Sequence, residues 1–335
     1  MVKKVLITDD VHGVLIEGLK KLGFSCEYKP NITNEEVHRV IDNYEGLIIN
    51  SKIFVDKTLL DDGVQLRFVG RVGSGMEIVD KAYAAEKGVA VLSSPEGNRN
   101  AVAEHALGML LALSNNLIRC NNEVKVFDWQ REKNRGFELM GKTIGIVGFG
   151  NTGSAFASKL MSLGMRILVY DKYLPSGYLK DWESVFKGKY PMQGQAWTDE
   201  NWDFSTIQAV DFQTITHDSD IISFHLPLTN EVKHLANHAF FNQCENNIIL
   251  LNTSRGQVVK TDDLVEALKI GKVKAAALDV FENEKTGTYT EGERAMYQQL
   301  FDFENVIVSP HVAGWTHESK ERLAQVLLKR IEAVV

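Results

Sequence analysis

Cysteine is scarce in this sequence, and the three present, Cys26, Cys120 and Cys244, are odd in number and too scattered to form a disulfide framework. That usage fits a reduced, cytoplasmic compartment, and none of the three has the spacing of a metal ligand. Basic charge is not in excess either: 37 Lys and Arg stand against 44 Asp and Glu, a net charge of -7. No diffuse positive field exists to hold a phosphate backbone, so nucleic acid is not an expected partner. Long apolar runs are missing too, since none approaches the roughly 18 residues of a membrane span. The apolar start of MVKKVLITDD is cut off by Asp9 and Asp10 too early for a secretory leader. Proline is rare, at 6, and glycine is not, at 26. With 335 residues, 44% hydrophobic and 24% charged, the chain has the composition of an ordinary globular protein of roughly two domains.

What is present is alternation. Short β-branched runs at 5–8 (VLIT), 46–50 (GLIIN), 66–70 (LRFVG) and 89–92 (VAVL) are separated by helical stretches. A second series follows at 143–148, 166–171, 220–224, 247–252, 274–280 and 305–309. The pattern predicts two α/β units in tandem, each around a parallel sheet. Between them Val102, Ala106, Leu110, Leu113 and Leu117 follow helical spacing, with Asn100 as expected N-cap and Glu104 in the first turn. Leu107, Leu111 and Ile118 lie on other faces, so this helix should be buried on more than one side, joining the domains or meeting a second subunit.

Residues 174–212 form a connection longer than βα links usually are. Its aromatic residues, Tyr178, Trp182, Phe186, Tyr190, Trp197, Trp202, Phe204 and Phe212, predict an ordered excursion rather than a loose linker. His234 and His238 are four apart, a spacing that would share one helix face, but no third ligand lies nearby. Solvated helix surface is the preferred reading, and no metal is expected.

Gly148-Phe-Gly150-Asn151-Thr152-Gly153 is a GxGxxG placed after the strand TIGIV and before a helix running to about Leu163. In that context the first glycine makes a tight turn, the second lets backbone approach a pyrophosphate, and the third permits close helix–strand packing. The next strand ends in Asp171, where a carboxylate can accept from both ribose hydroxyls and repel a 2'-phosphate, which favours NAD over NADP. Lys172 beside it could partly compensate that repulsion. Three polar groups then follow later strands: Arg255 with a planar fork for a carboxylate, Glu284 as partner for an imidazole, and His311, held behind Pro310, with a proton that moves near neutral pH.

Taken with GFGNTG and Asp171, the runs HLPLT (225–229), NTSRGQVV (252–259), ALDVFENE (277–284) and SPHVAG (309–314) resemble the D-isomer-specific 2-hydroxy acid dehydrogenase family, over nearly the whole chain. The resemblance implies two Rossmann-like, doubly wound parallel-sheet domains with an active-site cleft between them. Residues 1–98 would form a flavodoxin-like substrate domain completed by the helix 316–335, and 99–315 the NAD-binding domain. It also implies His311 as general acid and base, Glu284 as the group that keeps it charged, and Arg255 as holder of the substrate carboxylate. The backbone at Ser74 and Gly75 would complete that cradle, with Arg71, Lys52 and Asn98 on the substrate side. Asp279 would orient the nicotinamide carboxamide. His225, Pro227, Thr253, Val102 and Gly314 would line the cofactor site together with the glycine loop, Asn98 also bordering it.

The loop 69–80, VGRVGSGMEIVD, is most similar to the phosphoglycerate dehydrogenase branch, in which the arginine matching Arg71 lies near the substrate phosphate. That implies NAD-dependent oxidation of D-3-phosphoglycerate to 3-phosphohydroxypyruvate, the opening of serine biosynthesis. A hydroxypyruvate or glyoxylate reductase, or another D-2-hydroxy acid dehydrogenase, is the alternative within the family, and an NADH-sensing co-regulator that binds partner proteins is the alternative of another class. Formate oxidation is disfavoured, because that branch pairs its histidine with glutamine. The sequence departs from the branch at Asn50, where an arginine is common, at Asn151 in the glycine loop, and at Lys285, where proline is usual. The helix beginning near Ala101 is a dimer contact in the family, so a homodimer or homotetramer is implied. Because the chain ends soon after its last predicted helix, no appended serine-sensing domain is expected.

Overall fold

Two stretches of chain, Met1–Ala101 with Gly314–Val335, form one compact unit, and Val102–Ala313 forms a second. The computed structural model describes residues 3–174, 176–178 and 207–335. In the first unit β1 (Lys3–Ile7), β2 (Phe24–Tyr28), β3 (Gly46–Ile49), β4 (Phe68–Arg71) and β5 (Ala90–Leu92) form a parallel sheet in the order β2-β1-β3-β4-β5. The order reverses direction at β1, a flavodoxin-like switch point. β3 is buried on both faces, which is why GLII reads as a continuous apolar run. β2, FSCEY, was not among the expected strands. As an edge strand it buries only Phe24 fully, so its mixed polar composition hides it.

The helix His317–Glu332 closes this unit. Thr316 caps it in a capping box with Ser319, and Leu327 and Ile331 are fully buried among Val5, Ile7, Leu15, Ile48 and Phe68. The helix Gly13–Lys21 approaches it so closely that a side chain at Gly18 would collide with Leu328.

In the second unit the strands are β6 (Thr143–Val147), β7 (Arg166–Tyr170), β8 (Gly177–Tyr178), β9 (Ile207–Ala209), β10 (Ile221–Phe224), β11 (Ile248–Asn252), β12 (Val273–Leu278) and β13 (Val306–Val308). Their order is β13-β12-β11-β10-β6-β7-β9-β8, parallel throughout except that the two-residue β8 runs antiparallel to β9. The chain starts at β6, builds outward through β7, then returns to β10 on the other side. The crevice beside β6 and β10 is therefore the switch point of this sheet.

Several expectations are corrected here. The central helix spans Arg99–Ser114, so Asn100 lies in its first turn instead of capping it; Val102, Ala106, Leu110 and Leu113 are buried as the spacing predicts, but Leu117 is exposed and opens a separate helix, Leu117–Lys125. β9 falls inside the segment expected to carry no strand. Of the aromatic residues expected there, Tyr178 belongs to β8, and Phe212 packs edge-on against Tyr170 at 5.2 Å. Trp182, Phe186, Tyr190, Trp197, Trp202 and Phe204 lie outside the described residues. His234 and His238 do not share a helix face, because the helix begins at His238 and His234 sits before it with φ 55°. Among the described residues no single helix is long and apolar enough to cross a membrane.

Leu327→Ala should cost about 2–5 kcal/mol, the usual range for emptying a buried leucine site, read as a lower urea midpoint. An unchanged midpoint would show that the C-terminal helix is not part of this unit's core.

Candidate active site

The polar side chains of the expected site that fall in the second unit follow the carboxyl ends of strands β6, β7, β10, β11, β12 and β13. After β6, Gly148 has φ 92°, and a Cβ there would collide with the carbonyl of His225 after β10. A Cβ at Gly153 would collide with the Gly148 carbonyl, whereas one at Gly150 would meet nothing within 4 Å. One glycine thus makes the turn, one permits packing, and the middle one leaves open space. The helix Asn151–Leu160 starts there with Gly150 as N-cap, and no side-chain cap takes up its first N–H groups.

At the end of β7 the Asp171 carboxylate accepts from the N–H of Phe149 (3.0 Å) and of Tyr173 (3.0 Å), which fixes its orientation beside the glycine loop. Lys172 points its charge at Glu231, 2.6 Å away, and so is engaged elsewhere. His225 Nδ1, Asn151 Oδ1 and Thr253 Oγ1 are buried and have no hydrogen-bond partner among the described residues. Groups of this kind, following β6, β10 and β11, fit a dinucleotide that would satisfy them. His225 is neutral: burial pushes its pKa down to about 3, and Nε2 pairs with Ser223 Oγ at 2.9 Å. Thr152 is half-buried, Pro227 exposed and Val102 buried.

Beyond β11 the Asn252 side chain, fully buried, staples the next loop. Its amide donates to the Arg255 carbonyl (2.9 Å), and its oxygen accepts from Ser254 N–H (3.1 Å) and Ser254 Oγ (2.8 Å). Arg255 is thereby presented in extended backbone, its Nη1 donating to the Ser254 carbonyl at 2.7 Å. Beyond β13 stands His311, with φ 56°, in the left-handed region that costs a non-glycine residue about 1–2 kcal/mol. Asp279 holds it there. That carboxylate, fully buried, accepts from Ser309 Oγ (2.6 Å), Val312 N–H (2.9 Å) and Ala313 N–H (2.9 Å), while its carbonyl accepts from His311 N–H (2.8 Å).

This sharpens two expectations. Asp279, expected to orient a nicotinamide amide, spends most of its acceptor capacity on the loop 309–313, and the bracketing of His311 comes from Asp279 rather than from Pro310 alone. His105, which no sequence signal marks, joins the same group through Ser309 Oγ at 2.9 Å.

His311 Nδ1 and Glu284 Oε2 are 2.8 Å apart. The Glu284 hydrogen bond, opposed by burial, raises the His311 pKa above its ordinary 6.5. Burial pushes the Glu284 carboxyl upward, but the His311 hydrogen bond and charge, the Phe281 N–H and the Arg255 charge outweigh it and leave the pKa lowered. Arg255 acts on both groups, so the three expected residues form one electrostatic cluster. The imidazolium's share of stability is complete below pH 6.5 and lost as pH rises through the raised value. The carboxylate's share is lost as pH falls through the lowered one.

The residues expected on the substrate side belong to the first unit. Arg71 Nε donates to the Asn50 carbonyl (2.7 Å), with Glu77 3.7 Å from its Nη1. Lys52 Nζ bonds the Pro30 carbonyl. Ser74 is exposed and Gly75 buried. Gly314 also lies here, and its hydrogen faces Asn98, whose Nδ2 would stand 2.6 Å from an added Cβ. The absence of a side chain at 314 thus leaves room for Asn98, the two residues expected to border the cofactor site standing side by side.

Residues 107–187 and 192–313 match the family model of the D-isomer specific 2-hydroxyacid dehydrogenase, NAD binding domain. The chain belongs to that family. The D-3-phosphoglycerate dehydrogenase of Archaeoglobus fulgidus is 30% identical over 98% of this chain and 56% of the relative, so the chain spans about half its length. The hydroxypyruvate reductase of Thermotoga maritima is 30% identical over 90% of this chain and 88% of the relative. The D-lactate dehydrogenase of Aquifex aeolicus, solved with NAD and lactic acid, superposes with a TM-score of 0.78 at 26% identity, covering 99% of this chain and 95% of that one. The cofactor of this family member is NAD.

In a nuclear magnetic resonance titration the His311 imidazole should lose its proton above pH 6.5, and Glu284→Gln should lower that midpoint. Identical midpoints in the two proteins would break the pairing.

Proposed function

We propose that the protein is an NAD-dependent oxidoreductase acting at C2 of a D-2-hydroxy acid. The observation that carries this is the 2.8 Å His311–Glu284 pair with Arg255 in its electrostatic reach. Bound NADH would supply the hydride for the 2-oxo carbon, and NAD would accept it in the reverse direction. With Nδ1 held by Glu284, His311 has Nε2 to give a proton to the substrate oxygen in reduction and to recover it in oxidation. Arg255 holds the substrate carboxylate through its planar fork. The buried, neutral His225 and the oriented Asp171 bind the cofactor.

Within that class the reading is oxidation of D-3-phosphoglycerate to 3-phosphohydroxypyruvate. Its support is Arg71, whose guanidinium is already oriented by the Asn50 carbonyl, in a loop similar to that branch. A second reading, reduction of hydroxypyruvate or glyoxylate, is favoured by Glu77 beside Arg71 and by the engagement of Lys52 with Pro30, both of which reduce the positive charge offered to a phosphate. A homodimer or homotetramer belongs to the proposal. Leu117, Ile118, Val126, Phe127, Trp129 and Met140 are all exposed within one stretch of chain, Phe127 by 91%.

NADH oxidation across phosphohydroxypyruvate, hydroxypyruvate, glyoxylate and pyruvate tests the class and the substrate together. His311→Ala should lower kcat about 10²–10⁴-fold with NADH affinity kept; full turnover would remove His311 from its role. If the substrate is phosphorylated, Arg71→Ala should raise KM for phosphohydroxypyruvate and leave that for hydroxypyruvate unchanged. For assembly, light scattering should find a multimer that Phe127→Asp with Trp129→Asp dissociates, and a monomeric parent would end that part of the proposal.

A further inference from the structure

A histidine–carboxylate pair other than His311–Glu284 lies between two loops of the Val102–Ala313 unit. His234 Nε2 and Glu282 Oε1 are 2.6 Å apart, and the other oxygen of Glu282 accepts from the Thr261 N–H at 2.6 Å. His234 also lies in the left-handed region, at φ 55°. Its N–H donates to the Gln257 carbonyl (2.7 Å), and two residues on the Ala236 N–H donates to Val258 (3.0 Å). One pair thus ties together three segments: the turn before the helix His238–Gln243, the loop that bears Arg255, and the loop that bears Glu284.

The same two loops are pressed together on their other side. A Cβ at Gly256 would collide with the Phe281 carbonyl, so the Arg255 loop lies flush on the chain three residues before Glu284. Glu284 Oε1 in turn accepts from the Phe281 N–H at 3.3 Å. Arg255 and Glu284 are therefore both flanked by fixed points, while neither His234 nor Glu282 contacts His311 in any hydrogen bond of the structure. A left-handed histidine persists only where its surroundings over-determine it. Here the over-determining contacts are those that join the two loops.

We propose that the His234–Glu282 pair is a positioning clamp that sets the placement of the Arg255 guanidinium relative to the Glu284–His311 pair, and so governs binding of the substrate carboxylate. The clamp rests on the dehydrogenase reading above. It acts through backbone, and displacements near 1 Å at such sites cost up to about 10²-fold in rate.

Three variants separate its parts. His234→Gly removes the imidazole but suits the backbone angle; Glu282→Ala removes both bonds. Glu282→Gln keeps an oxygen for Thr261 and gains an amide that can donate to a neutral His234. With the 2-oxo acid the parent reduces best, His234→Gly and Glu282→Ala should raise KM for that acid about tenfold or more. The dissociation constant of NADH should stay unchanged, and Glu282→Gln should recover most of the loss. A fall in kcat alone at constant KM, or a parallel loss of NADH affinity, would mean general destabilisation and overturn the clamp, as would parental KM in all three. If the parent reduces no 2-oxo acid, the dehydrogenase reading fails instead. The clamp is then read by amide hydrogen exchange, where Glu282→Ala should speed exchange at Val258 and Thr261 relative to Ile249, and equal protection overturns it.

Discussion

A carboxylate shut away from water must have its charge met by donors, and at Asp279 those donors are Ser309 Oγ and the N–H groups of Val312 and Ala313. The consequence is geometric. Residues on both sides of His311 are drawn to one buried point at the end of β12, and the chain between them is left no choice but a left-handed turn. The strain of that turn is offset locally by charge-assisted hydrogen bonds, which are stronger than neutral ones. An imidazole presented this way has its Nδ1 on Glu284 Oε2.

The same device recurs around the site. Asn252 gathers the loop of Arg255, Asp171 gathers the glycine loop, and Glu282 gathers His234 and Thr261. In each case a short polar side chain at or just beyond a strand end satisfies loop amides or carbonyls that the sheet no longer reaches. The residues proposed to perform chemistry are thereby held by hydrogen bonds from other side chains, and the loops at the strand ends are fixed by them.

Much of this was legible in the sequence. The glycine loop, Asp171, Arg255, Glu284 and His311 announce themselves because each follows a β-branched run, and a parallel sheet puts the ends of such runs along one edge. The internal strands were readable for the same reason: buried on both faces, they are apolar throughout. β2 was not readable, since an edge strand mixes polar with apolar residues, and β9 was hidden inside an unusually long connection. His105 could not have been found, because its partner Ser309 is distant in sequence and the single histidine carries no spacing signal. Nor does the sequence show that the space beside Gly314 is occupied by the side chain of Asn98.

By itself the sequence determined the alternation of strands and helices, the order of the motifs and the presence of residue types suited to proton transfer and carboxylate binding, since those follow from local pattern and side-chain pKa. Only the tertiary structure decided what each polar group spends its hydrogen bonds on. Asp279 was committed to a loop, Lys52 to a carbonyl, Lys172 to Glu231 and His234 to Glu282, and no sequence pattern states such a commitment. The reason is physical: a hydrogen bond is settled by distances of a few ångströms between residues that the fold, and not the chain order, makes neighbours.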